Sequence, residues 1–173
     1  MEPPHLVFEP LGPQHRRAEF VCGVPALDQY LHKRASQDVK RNIARVFVAV
    51  VPDTGEIVGY YTLSTFAIAL DQVPADLARK LPRYGDLPAA LIGRLARGIA
   101  WTGKGIGEIL LADAVARVID ASSRLAVYAV VVHAKDAAAE DFYRSFGFRH
   151  QVSNSSRLFL PLGTALDGLG RLC

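Results

Sequence analysis

The chain has 173 residues, 50% of them hydrophobic, which suits one globular domain with an ample core. Its formal net charge of +3 is mildly basic and permits an RNA partner without demanding one. Two cysteines, Cys22 and Cys173, are too few for a disulfide framework. No apolar run approaches the roughly 20 residues that span a bilayer. The opening Met1-Glu2-Pro3-Pro4-His5 also lacks the charged-then-apolar pattern of a signal peptide. The expectation is a soluble, reduced, cytoplasmic protein.

In chain order, Leu6 to Leu11 reads as a first strand closed by Gly12-Pro13. Pro25 to Arg41 reads as one helix with proline near its first turn. Its apolar positions Leu27, Tyr30, Leu31 and Ala35 are spaced by three and four, and its other side carries His32, Lys33, Arg34, Lys40 and Arg41. Such a charge cluster reads first as a solvated face. Arg45 to Val51 and Glu56 to Leu70 form a hairpin around Pro52-Asp53-Thr54-Gly55. Pro74 to Lys80 reads as a short helix, and Leu81 to Pro88, with Arg83, as a loop.

The most informative stretch comes next. Ala89 to Ile92 opens a buried strand that continues to about Ala96, and Ile106, Ile109, Leu110, Ala114 and Val118 place a helix from near Gly105. Between them, Gly103, Gly105 and Gly107 alternate with Lys104 and Ile106. Glycines let the chain turn with positive φ and bring backbone N–H groups close to a ligand. A helix N-terminus just beyond suits a phosphate or pyrophosphate. A dinucleotide fingerprint fails because its third glycine comes one residue early. Gly98 to Lys104 matches the first seven places of a nucleotide P-loop, but Gly105 stands where the hydroxyl that holds magnesium belongs. A plain glycine tip between two elements remains the bland alternative.

Further on, Arg124 to Val132 reads as a central strand, and Ala137 to Phe146 as a helix with Gly147 at its C′ position. Ser153 to Ser156 is turn-like and Arg157 to Pro161 a last strand. Residues 163–173 form a glycine-rich tail expected to lack order. The elements alternate as in an α/β or mixed α+β fold, with helices on both faces of a mixed sheet. There is no repeat and no interdomain linker, so residues 1–173 read as a single domain.

Gly93-Arg94-Leu95-Ala96, Gly103-Lys104-Gly105-Ile106-Gly107 and Leu110-Leu111-Ala112-Asp113-Ala114 resemble the acyl-coenzyme A signature of the GNAT N-acetyltransferases. Ala139-Glu140-Asp141-Phe142-Tyr143-Arg144-Ser145-Phe146-Gly147-Phe148 resembles that family's second block. His15, Arg17, Phe20, Cys22-Gly23, Leu27-Asp28, Tyr30-Leu31, Ala35 and Gln37-Asp38 are similar to one branch, the toxins of type II toxin–antitoxin pairs that acetylate the amino acid on charged tRNA. The resemblance runs from about His15 to Leu162. It implies a single-domain GNAT fold: a twisted, mostly antiparallel mixed sheet with a splay between two central strands, here those of Leu91 and Leu125, where acetyl-CoA enters.

The resemblance also implies roles. Backbone groups at Leu95, Ala96 and Arg97 would polarise the thioester carbonyl. Thr102, Gly103, Lys104, Gly105, Ile106 and Gly107 would hold the pyrophosphate. Tyr143 would protonate the leaving sulfur; read without the resemblance, it is a core tyrosine between Phe142 and Phe146. Lys33, Arg34, Lys40, Arg41 and Arg83, with Arg79 and Lys80, would meet tRNA phosphates. Two positions depart from the family pattern: Gly98 is usually acidic, and Thr102 is usually Gln or Arg. A threonine hydroxyl still donates one hydrogen bond; Arg97, Trp101 and Lys104 are the residues that could compensate.

An α-amine on charged tRNA has a lower pKa than a lysine side chain, which lessens the need for a protein base. His133, at a strand end, is the weak candidate for one. Asp113, Asp136 and Glu140 read as helix-capping or solvated carboxylates. The histidines and cysteines form no metal-ligand spacing. The toxin resemblance further implies a ribbon-helix-helix antitoxin as partner and a homodimer. Two other readings stay open: a GNAT enzyme for a small amine or protein amino group, and a non-catalytic acyl-CoA-binding module.

Overall fold

The computed structural model describes residues 4–83, 85–153 and 156–169. The strands are β1 (Val7–Pro10), β2 (Arg45–Val50), β3 (Ile57–Ile68), β4 (Leu87–Arg97), β5 (Ala129–His133), β6 (Arg149–His150) and β7 (Arg157–Pro161). The helices are α1 (Pro25–Gln29), α2 (Ala35–Lys40), α3 (Ala75–Ala78), α4 (Ile106–Ala121), α5 (Ala137–Ser145) and α6 (Leu162–Leu169). The strands form one seven-stranded sheet in the order β1-β2-β3-β4-β5-β7-β6. β1/β2, β2/β3, β5/β7 and β6/β7 pair antiparallel, and β4/β5 pairs parallel. This is the mixed sheet that the order of elements predicts, and it is mostly antiparallel, as the resemblance implies.

Two compact units divide the chain: one runs through Ser64 and includes Gly93–Ala114, the other comprises Thr65–Ile92 and the chain from Val115. In the first, Phe20, Tyr30, Leu31, Val46, Val48 and Tyr60 form a closed core. Tyr60 stacks on Tyr30 at 6.3 Å and meets the edge of Phe20 at 5.6 Å, and its hydroxyl donates to the Leu27 carbonyl at 2.7 Å. Burial of these aromatics, beside the aliphatic side chains of the same core, is a large favourable contribution. In the second, Ile68, Val73, Ala129, Val131 and Phe159 do the same. There the parallel register runs from Ala89↔Ala129 to Ile92↔Val132.

Five details differ from the sequence reading. The helix from Pro25 is not regular, because residues Tyr30–Arg34 form a π-helical turn closed by the Ala35 N–H on the Tyr30 carbonyl. In an α-helix, residues five apart lie about 140° apart around the axis. The wider turn brings Tyr30 and Ala35, both buried, onto the core side. Asn42, at φ 58, then stops the rod, and the Ile43 N–H bonds the Asp38 carbonyl at 2.9 Å. His32 does not join the solvated face: its Nε2–H donates to the Phe20 carbonyl at 2.8 Å.

The strand expected from Arg124 begins only at Ala129. Arg124 and Leu125 instead donate their N–H groups to the Ala121 carbonyl at 3.0 and 3.1 Å, finishing α4, and Leu125 is 65% exposed. The Leu125 strand is therefore corrected to Ala129–His133. β6, only two residues long, has no counterpart in the sequence pattern. In place of an unordered tail, Leu162–Leu169 is α6, with Leu162 and Ala165 buried. Residues 170–173 of that tail, Cys173 among them, lie outside the described residues.

Candidate active site

In the first unit, β4 ends at Arg97, and Gly98 bonds back across the sheet, its N–H donating to the Val58 carbonyl at 2.8 Å. A Cβ at Gly98 would lie 3.2 Å from that carbonyl oxygen and 3.6 Å from the Phe20 ring. The acidic residue usual at this place would crowd a packed backbone, which is a physical reason for the glycine. A single 3-10 turn, Ile99–Trp101, carries the chain into the loop.

Gly103 and Gly105 take φ of +77° and +73°, the left-handed region that costs other residues energy, and both are exposed. The loop thus turns as the alternating glycines predict. Ile106, fully buried, begins α4, and the Ile109 N–H reaches the Gly105 carbonyl at 3.2 Å. The first N–H groups of such a helix have no acceptor within it. Lys104 holds its ammonium 4.7 Å from the centre of the Trp101 ring, and Trp101 Nε1 donates to Glu56 at 3.0 Å. Thr102 behaves differently from expectation: its hydroxyl donates to the Ile99 carbonyl at 2.7 Å, so its hydrogen already serves the 3-10 turn. Leu95 is half-buried, Ala96 buried and Arg97 exposed at the end of β4. Asp113 accepts a hydrogen bond from the Tyr61 hydroxyl, as a structural carboxylate does.

In the second unit, Asp136 caps α5 by accepting from the Ala139 N–H at 2.8 Å. Gly147, at φ +94°, ends the helix, with its N–H on the Arg144 carbonyl and the Phe148 N–H on the Tyr143 carbonyl. Tyr143 is thereby held on a helix fixed at both ends. Its ring lies 5.3 Å from Phe142 and 5.6 Å from Phe148, and only 8% of the residue is exposed. Burial pushes its phenol up from 10.0 to about 12, so the hydroxyl keeps its proton at every physiological pH.

His133, the weak base candidate, closes β5. Its Nε2 accepts from Arg157 Nε at 3.0 Å, so that lone pair is engaged. Burial first, and the Arg157 charge second, lower its pKa and keep it neutral. Glu140 pairs with His150 Nε2 at 2.8 Å. Among the described residues, no three His, Cys, Asp or Glu side chains group as a metal site would require. Lys33, Arg34, Lys40 and Arg41 are exposed in the first unit, and Arg79, Lys80 and Arg83 in the second.

The acetyltransferase (GNAT) family model matches residues 14–148. The chain belongs to the GNAT acetyltransferase family. Family membership makes it an acyltransferase, as the glycine loop and the Phe142-Tyr143 block imply. Its relatives place it in the toxin branch. The tRNA-acetylating toxin of Mycobacterium tuberculosis (strain ATCC 25618 / H37Rv) is 34% identical over 151 residues, 87% of this chain and 89% of the relative. Among solved structures, AtaT complexed with acetyl-methionyl-tRNAfMet is 27% identical with a TM-score of 0.88, covering 96% of this chain and 99% of that one. A tyrosine-to-phenylalanine mutant of AtaT, bound to the C-terminus of the antitoxin AtaR and acetyl-CoA, is also 27% identical, with a TM-score of 0.77 over 93% and 96% of the two chains. Among the described residues, no helix of this GNAT chain is long and apolar enough to cross a membrane.

The residue that sequence reasoning passes over is Arg94. In the sequence it stands only as part of the Gly-Arg-Leu-Ala signature, yet its guanidinium lies 3.6 Å from the centre of the Tyr30 ring. No sequence pattern pairs two residues 64 positions apart.

Proposed function

We propose that the chain is a cytoplasmic toxin that transfers acetyl from acetyl-CoA to the α-amine of the amino acid on charged tRNA, and so blocks translation. The observation that carries this reading is the 34% identity to a tRNA-acetylating toxin along 87% of the chain. The loop geometry supports the donor half of the reaction. Backbone N–H groups of residues 103–107, freed by two left-handed glycines, bind the coenzyme pyrophosphate, with Lys104 adding charge. The backbone of Leu95, Ala96 and Arg97 polarises the thioester carbonyl as charge builds on its oxygen.

Tyr143 is the general acid. A phenol that stays protonated supplies a hydrogen bond, then its proton, to the sulfur as the carbon–sulfur bond breaks. The acceptor amine arrives neutral in appreciable fraction and loses its proton to water, so no side chain need act as base. Lys33, Arg34, Lys40, Arg41 and Arg83 take the tRNA phosphates. AtaT has been solved with the C-terminus of its antitoxin, which supports an antitoxin partner here. That this partner is of the ribbon-helix-helix type and the toxin a homodimer is what the toxin resemblance implies.

Incubation with labelled acetyl-CoA and total charged tRNA tests the reading. Label should enter the RNA fraction and stay with the amino acid after the ester is cleaved. Transfer to polyamines or peptides, with none to charged tRNA, would assign a different acceptor.

A further inference from the structure

The first unit holds a pocket of about 650 Å³ between α1, the π-helical turn and β4, lined by Ala26, Leu27, Gln29, Tyr30, Lys33, Arg34 and Arg94. Arg94 is half-buried, with its guanidinium carbon over the Tyr30 ring, 3.6 Å from its centre. Tyr30 is fixed in turn by stacking on Tyr60 and by donating its hydroxyl to Asp38 at 2.9 Å. The guanidinium is therefore pre-organised, held against an aromatic ring at the wall of the cavity that Arg94 lines. No carboxylate lines the pocket, and among the described residues Arg94 has no hydrogen-bond or ion-pair partner. Two exposed cations, Lys33 and Arg34, border it on the π turn, a helix irregularity frequent at functional sites.

A planar cation lining the cavity with no hydrogen-bond or ion-pair partner among the described residues, an apolar wall at Ala26 and Leu27, and flanking ammonium and guanidinium groups match one chemical class. That class is an unpaired nucleotide, whose base stacks on the guanidinium and whose phosphates meet the flanking charges. The volume suits one such group, since small-molecule pockets run from about 300 to 1,000 Å³. We propose that the Tyr30–Arg94 pocket seats an unpaired nucleotide at the 3′ end of the RNA substrate, with Lys33 and Arg34 on its phosphates. This rests on the tRNA reading above. The other source of a nucleotide is the coenzyme's adenosine phosphate, so the test carries an arm for each.

The test measures fluorescence anisotropy with one uncharged, 5′-labelled tRNA, either intact or lacking its last three nucleotides, and separately the affinity for CoA. The wild-type protein should bind the intact RNA about tenfold more tightly than the truncated one, the scale of one stacked base. Arg94→Lys keeps the charge and loses the plane. It should bring the two affinities within about twofold of each other while leaving CoA binding unchanged. Arg94→Ala should do the same and also weaken both RNAs.

An undiminished 3′-end preference in Arg94→Lys overturns the proposal, as does an equal loss for both RNAs in that variant. Weakened CoA binding would hand the pocket to the coenzyme and overturn it too. Wild-type protein that acetylates charged tRNA yet shows no 3′-end preference sinks this inference alone. Protein that neither binds nor acetylates tRNA sinks the reading beneath it as well.

Discussion

The glycine loop of the first unit and the α5 tyrosine of the second place opposite demands on the chain. Residues 102–105 are exposed, and what they offer is main chain: two left-handed glycines and the opening amides of α4. Tyr143 is buried, and what it offers is one side-chain hydroxyl whose properties are set by the rings around it. A grip made of backbone tolerates changes of side chain so long as φ is preserved. In the proposed mechanism, a proton donor made by burial tolerates none. This contrast accounts for Thr102 replacing the family's usual Gln or Arg: its hydroxyl has turned inward to Ile99 while the glycines are kept.

The sharpest way to break the contrast is Tyr143→Phe. It removes one oxygen from a packed site and should cut turnover by roughly 10²-fold or more, with coenzyme affinity nearly unchanged. Unaltered turnover, measured by labelled acetyl transfer, would remove the phenol from the mechanism. Next in size is Gly105→Val. Space is available there, since a Cβ added at Gly105 would come no closer than 3.8 Å to any neighbouring atom, so the penalty is conformational. Forcing a β-branched residue to positive φ costs about 1–2 kcal/mol, or about tenfold in coenzyme affinity by calorimetry. Turnover at saturating coenzyme should hold. Thr102→Ala should be the smallest effect, about twofold or less in coenzyme affinity, because its hydroxyl serves a local turn.

pH sharpens the same comparison. With Tyr143 pushed up to about 12, no alkaline fall in turnover should come from the phenol below about pH 10. The sign for stability follows from proton counts. An unfolded tyrosine ionises near 10.0 while the buried one stays protonated, so its contribution is complete below pH 10 and declines from there to about 12. Denaturant midpoints compared at pH 8 and pH 11 should fall less in Tyr143→Phe than in wild type.

Much of this is legible in the sequence because it depends on spacing within a single element. The β2–β3 hairpin, the start of α4 at Ile106, the Gly147 cap and the last strand at Arg157 all follow from local periodicity and turn chemistry. What escapes depends on which of two local uses wins. The apolar run at Leu125 has the pattern of a strand, but its N–H groups close α4 before the chain extends. The π turn leaves no mark, since no proline or glycine signals an inserted residue. The Tyr30–Arg94 stack and the inward Thr102 hydroxyl depend on partners known only once the chain is folded.

The inserted residue at Tyr30–Arg34 has an evolutionary corollary. Losing one codon there would restore an ordinary helix, with four residues in place of five around the turn, so the helix beyond would keep its face toward the core. Ala35 would stay in the interior, and only the exposed turn that carries Lys33 and Arg34 would change shape. A one-codon indel in this stretch therefore resets the exposed cations while the packed face of the helix is left untouched.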